Sequence, residues 1–190
     1  MKRYVFLCLM SVTVAQAGTI DSGEEPYERC ALCHGLFGVS AHPKFPNLAG
    51  QNALYLTAQI EAFINGNRVN DGGQMRNIVT EISATEIEQV VAWFSAQEPA
   101  AAVEIDNSDG AKLFDEAGCA QCHVENLAED EMVPLLHAQH KDYLAKQMRD
   151  YRDGNRLGET PDHIESLLKR WTDSEIEAVA MHLASQARSQ

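Results

Sequence analysis

Cys30-Ala31-Leu32-Cys33-His34 and Cys119-Ala120-Gln121-Cys122-His123 are the two places in this chain where residue type and spacing carry a defined chemistry. On a helical turn, thiols three residues apart face the same side. They can form thioethers to the two vinyl groups of a single haem while the adjacent His aims its imidazole at the iron. Two other readings fit poorly. A dithiol redox pair belongs in a βαβ context, which this sequence lacks, and a zinc site needs its Cys pairs about 15–20 residues apart, far closer than here. The spacing therefore predicts two covalently bound haem c groups, attached through Cys30, Cys33, Cys119 and Cys122, with His34 and His123 as iron ligands.

The elements that must position these groups repeat. With Cys30 placed on Cys119, Pro46-Asn47-Leu48-Ala49-Gly50-Gln51 meets Pro134-Leu135-Leu136-His137-Ala138-Gln139, with one residue fewer in the second intervening loop. Tyr55-Leu56 through Gly66-Asn67-Arg68 meets Tyr143-Leu144 through Gly154-Asn155-Arg156. Ser83 to Glu88 meets Thr172 to Glu177. One unit is duplicated, which fixes the architecture before any detail. Each unit is about 80 residues, close to the size at which an apolar core needs a staple or a cofactor.

The pattern within a unit is helical. Asn52 to Ile64 and His140 to Tyr151 form one helical pair, with Gly66 and Gly154 as stop signals. Ser83 and Thr172, each followed three residues later by Glu, open a second pair with capping boxes. Its apolar faces are Ile87, Val90, Val91, Phe94 and Ile176, Val179, Ala180, Leu183. No strand pattern is convincing. The expected fold is all-α, with domains at 18–98 and 107–190. The linker spans 99–106, unless that segment is a short strap packed on both domains.

Residues 1–17 read as an export signal: Lys2 and Arg3, an apolar run from Tyr4 to Val14, then Ala15-Gln16-Ala17 as a cleavage site. The run is too short for a membrane span, which needs about 20 apolar residues, and Cys8 lies mid-run, away from a lipidation position. Cleavage leaves four Cys, which in an exported chain ordinarily suggests disulfides, but the His after each pair changes that reading. It also leaves 13 basic against 28 acidic residues, or −15. Such a surface repels nucleic acid and anionic lipid and favours a basic docking partner; acidic residues that merely keep the chain in solution are the competing account.

Over essentially the whole mature length the chain resembles the dihaem cytochromes of the cytochrome c4 family. The resemblance rests on the two Cys-x-x-Cys-His sites, Phe45-Pro46-Asn47-Leu48-Ala49-Gly50-Gln51, Tyr55-Leu56 before an amphipathic helix, and the Ser83-Ala84-Thr85-Glu86-Ile87 and Thr172-Asp173-Ser174-Glu175-Ile176 helix starts. It implies tandem class I cytochrome c domains, a periplasmic location, and electron transfer to partners such as a terminal oxidase, a quinol-oxidising complex or a dehydrogenase. It implies a proximal His and a distal Met on each haem. It also implies that the carbonyls of Pro46 and Pro134 accept the proximal imidazole N–H, and that Leu48 and Leu136 pack on the haem faces. Trp93 is then expected beside the first haem, with His182 at the matching position of the second.

By the same resemblance the distal ligand comes from the loop before the last helix. In the first unit that is Gly72 to Asn77, where Met75 is the only candidate, its other account being a core gap-filler. The second unit has no Met between Gly154 and Thr172. Counting forward from Gly-Asn-Arg puts His163 opposite Met75, and counting back from the last helix puts Ile164 there. His163 follows Pro161-Asp162 and is expected in a loop. Met132, Met148 and Met181, another of His137, His140 and His182, or an open iron stay as competitors. A second imidazole in place of a thioether lowers haem potential, so the second haem is expected below the first. An electron carrier is the expected function. A small dihaem oxidoreductase (peroxidase-like or thiosulfate-oxidising) and a cytochrome subunit of a larger dehydrogenase are the other options. An axial Cys is disfavoured, because no fifth Cys remains after cleavage.

Overall fold

A computed structural model describes residues 23–105, 108–123, 132–157 and 162–188. The expected export signal lies outside these residues. The regular structure is all helical, with no strand among the described residues. The first unit holds α1 (Glu28–His34), α2 (Ala53–Asn65), α3 (Gln74–Val79) and α4 (Ala84–Ser95). The second holds α5 (Ser108–Glu116), α6 (Ala120–His123), α7 (Lys141–Arg152), α8 (Asp162–Leu168) and α9 (Asp173–Ser185).

The helix ends fall where local chemistry puts them. The Asn52 side chain accepts from the Tyr55 N–H to start α2, which stops at Gly66 in the left-handed region, φ 74°. Ser83 and Thr172 form complete capping boxes with Glu86 and Glu175, opening α4 and α9. Each box satisfies backbone donors that the first helical turn leaves without partners.

Each unit closes its own core. In the first, Leu56, Ile60 and Phe63 of α2 meet Val79 of α3 and Val90, Val91 and Phe94 of α4. In the second, Leu144 and Ala145 of α7 and Phe114 of α5 meet Ile176, Val179, Ala180 and Leu183 of α9. Gly38 lets the loop after the first motif close: a Cβ there would lie 2.6 Å from the Ala49 nitrogen and 2.9 Å from Phe94. Its carbonyl instead accepts from Leu48 and Ala49 at 2.7 and 3.1 Å, fastening the segment after Pro46 beneath His34.

The two units are joined by polar groups that follow the repeat. Arg68 donates to Tyr143 Oη (3.1 Å) and Gln147 Oε1 (3.1 Å), while its equivalent Arg156 donates to Tyr55 Oη (3.2 Å) and Gln59 Oε1 (2.7 Å). Each guanidinium also lies over a ring of its own unit, Arg68 on Phe63 and Arg156 on Tyr151. Burial would push the Tyr143 phenol up, but the two guanidiniums outweigh it and hold it below its ordinary value. The segment after Glu98 touches both units. Pro99 sits against Gly50 of the first unit, and Val103 N–H donates to Ala184 O of the second at 3.1 Å.

Replacing Ser83 or Thr172 by Ala should each cost about 1 kcal/mol of unfolding free energy. The expected reading is a lower denaturant midpoint with an unchanged slope; midpoints equal to the parent protein's would show that the caps contribute nothing.

Candidate haem sites

α1 carries Cys30, Cys33 and His34 on two turns, and α6 carries Cys122 and His123 with Cys119 immediately before it. All four cysteines are free thiols, so neither pair is spent in a disulfide. Burial, reinforced by Cys33, raises the Cys30 thiol to about 11, and burial raises Cys119 as well. Among the described residues no group of three or more His, Cys, Asp or Glu converges as a metal site.

The imidazoles are fixed in one tautomer. His34 Nδ1 donates to Pro46 O at 2.9 Å, and His123 Nδ1 donates to Pro134 O at 2.9 Å. With Nδ1 so engaged, Nε2 carries the lone pair for iron. Burial lowers both imidazoles below their ordinary range, more than the proline carbonyls raise them, so both rings are neutral and able to ligate. The Cys30, Leu48 and Met75 side chains all pack against the first core cluster, and Cys119 and Leu136 against the second. The residues present thus fit a haem in each unit.

Met75 differs from expectation in its setting. It is the second residue of the short helix α3 rather than part of a loop. The helix forms because Asp71 accepts from Gly73 N–H (3.0 Å) and Met75 N–H (2.5 Å), and left-handed Gly73 (φ 83°) turns the chain into it. Met75 and Val79, four residues apart, share the face that meets the core.

His163 is likewise corrected. It lies inside α8, as its second residue, and not in a loop. The extra residue of the second unit is absorbed within the helix, which has 7 residues against 6 in α3. The two sequence counts therefore both survive: His163 matches Met75 from the helix start, and Ile164 matches it from the buried ends, Val79 and Leu168. His163 is exposed, while Ile164 lies one helical turn before buried Leu168. The competing methionines are placed elsewhere. Met148 packs on the second core cluster, Met132 is exposed, and Met181 sits within α9. His182 packs its ring on Phe114 at 5.3 Å, whereas Trp93 at the matching position stacks on Tyr27 at 4.0 Å and donates to Leu36 O.

Sequence reasoning gave no role to Gln51, Gln139 or Asn47, and entered His140 only as a competing distal ligand. Gln139 accepts from Asn47 N–H at 2.8 Å and donates to Asn47 O at 2.9 Å; Gln51 does the same to Leu135, at 2.8 and 2.9 Å. His140 Nε2 meets Ser40 O at 3.0 Å. The signal lay in the repeat itself, since two buried Gln at equivalent positions need partners that neither unit alone supplies.

The cytochrome c family model matches residues 20–98 and again 108–187. The cytochrome c4 of Stutzerimonas stutzeri is 30% identical over 88% of this chain and 89% of its own length. The crystal structure of reduced recombinant cytochrome c4 from Pseudomonas stutzeri superposes with a TM-score of 0.73 at 28% identity, covering 90% of this chain and all of that one. A thiosulfate dehydrogenase electron acceptor of Thiomonas intermedia is 28% identical over 84% of this chain and 79% of its own length. The protein purified from a host that matures such cytochromes is expected to hold two haems that survive acid-acetone extraction. Alanine at both Cys30 and Cys33 should make one of the two extractable, and a colourless parent protein would sink the attachment. With two matched domains and a full-length relative, the chain belongs to the cytochrome c family, as a dihaem cytochrome of the c4 type.

Proposed function

We propose that this electron-transfer cytochrome is a periplasmic carrier, with His34 and Met75 ligating the first haem iron and His123 and His163 the second. The observation that carries the reading is the pair of neutral imidazoles, His34 buried and His123 half-buried, each holding its Nδ1 proton on a proline carbonyl. Bound haem supplies reversible one-electron chemistry. The chain's own residues do the rest. Cys30, Cys33, Cys119 and Cys122 tether the groups, the proline carbonyls set ring orientation and basicity, and Leu48 and Leu136 exclude water. We assign residues 1–17 to a removed leader, 18–98 and 107–190 to the two domains and 99–106 to the strap between them.

The distal sides differ because no Met stands at the α8 position. His163 is the residue of the first α8 turn able to ligate, and it does so once that turn rotates inward from its exposed position. A second imidazole donates more strongly than a thioether and favours ferric iron. Electrons then rest on the Met75-ligated haem, downhill from the second domain to the first. The formal charge of −13, or −15 without the leader, supports docking on a basic face of a terminal oxidase, a quinol-oxidising complex or a dehydrogenase. The similarity to a thiosulfate dehydrogenase electron acceptor supports a sulfur-oxidising donor among these. No helix among the described residues is long and apolar enough to cross a membrane. A second reading, chemistry at the second iron, is favoured by the exposure of His163, which leaves that distal position the more easily opened.

Low-temperature electron paramagnetic resonance of the oxidised protein should show one His/Met and one His/His low-spin signal. Redox titration should show two separated waves, and His163→Met should raise the lower one. Two overlapping high-potential waves, or a spectrum unmoved by His163→Met, would remove His163 from the iron. Carbon monoxide binding to the native ferrous protein would favour the catalytic reading.

A further inference from the structure

We propose that each domain sets the potential of the other domain's haem through a glutamine that grips the peptide behind its proximal histidine. The proposal rests on His34 and His123 being the proximal ligands. In the first unit the carbonyl that accepts from His34 is that of Pro46. The N–H of the same peptide group belongs to Asn47, and it donates to Gln139 Oε1 at 2.8 Å. In the second unit the peptide group of Pro134 and Leu135 accepts from His123 and donates to Gln51 Oε1 at 2.8 Å. Two three-part chains result, each running from an imidazole through one peptide group to a carboxamide across the interface.

The two parts of a peptide group are electronically coupled. When its N–H donates, electron density moves onto its carbonyl oxygen, which becomes a better acceptor. Linked hydrogen bonds strengthen one another by roughly 10–30% per bond. A stronger acceptor on Nδ1–H makes the imidazole more imidazolate-like, so it donates more to iron and favours the ferric state. Gln139 is therefore a positioning residue for the first haem, and Gln51 for the second.

The geometry supports a built device. Gln51 and Gln139 are each only 5% exposed, and Asn47 4%, so water does not compete for these bonds. Each carboxamide is itself fixed. Gln139 Nε2 donates to Asn47 O, and its Oε1 also accepts from His140 N–H at 3.0 Å. Gln51 Nε2 donates to Leu135 O, and its Oε1 also accepts from Asn52 N–H at 2.9 Å. The first unit is gripped harder, because Asn47 Nδ2 donates to Ala138 O and Asn47 Oδ1 accepts from Ser40 N–H, whereas Leu135 has no polar side chain.

The test is a crossed redox titration of the holoprotein, with waves assigned to domains beforehand by Met75→His. Gln139→Met keeps the side-chain length and removes the acceptor. It should raise the first haem's midpoint, a shift of about two- to threefold in its reduction equilibrium constant, and leave the second unmoved. Gln51→Met should do the reverse. Loosening of the interface would instead move both waves in both variants, and a local effect would move the haem of the mutated domain; either result, or no shift, overturns the proposal. If a Met variant does not retain haem, Gln139→Glu and Gln51→Glu are read instead. A carboxylate still accepts the N–H, so the opposite domain's wave should fall further than the variant's own; equal falls overturn the proposal. His34→Ala, expected to abolish the low-spin signal of the first haem, separates failure of the ligand assignment from failure of the coupling.

Discussion

The hydrogen bond from an imidazole to a proline carbonyl is the constraint around which each half of this protein is arranged. A histidine that is to ligate haem iron beside two thioether-forming thiols would have to present Nε2 and not Nδ1, and to be neutral. One bond of 2.9 Å per domain achieves the first, and burial achieves the second. The loop that supplies the carbonyl therefore has to be rigid. Gly38 allows it to close on the backbone of Leu48 and Ala49, and Gly50 N–H donates to Phe94 O at 2.9 Å, seating the loop on the end of α4. In the second domain Ala138 N–H makes the same bond to Leu183 O. Ala138 holds the left-handed conformation that glycine holds at position 50, φ 53° against 63°, at a cost of order 1–2 kcal/mol. Glycine is required at 50 because Pro99 lies where a Cβ would go.

Several of the positions at which the halves differ concern chemistry more than packing. His182 stands for Trp93, Asp150 for Ala62, and His140 for Asn52. Asp150 accepts from Asn70 Nδ2 across the interface and pairs with Lys146, contacts that the alanine side chain at the equivalent position 62 cannot make. Near the distal positions the divergence is larger, since α8 has one residue more than α3 and lacks its methionine.

Much of the architecture was legible because it is written in local rules. Capping boxes, a left-handed stop at Gly66 and apolar faces at helical spacing gave the helix pairs within a residue or two. The attachment motif was legible because its spacing has few other uses. Two things were not. The candidate-ligand segments read as loops in the sequence, Met75 because the resemblance places the distal ligand in a loop and His163 because Pro161-Asp162 reads as a loop start; Asp71 accepting from Gly73 N–H and Met75 N–H makes the first of them a helix start. The interface was the larger omission. Gln51, Gln139, Arg68 and Arg156 are polar residues with no local periodicity, and their burial is decided only when the second domain arrives.

The reciprocity of the glutamine and arginine contacts has a consequence for how such a chain can arise. Each unit grips the other with the same residues, which is the isologous pattern of a symmetric homodimer. The strap from Pro99 to Val103 turns that association into an intramolecular one, at an effective concentration of the order of millimolar for a short connection. A tethered pair no longer depends on both copies keeping one sequence. A change tolerated on one side alone, such as an aspartate at 150 or a lost methionine, is then inherited as a difference in role between two formerly interchangeable subunits.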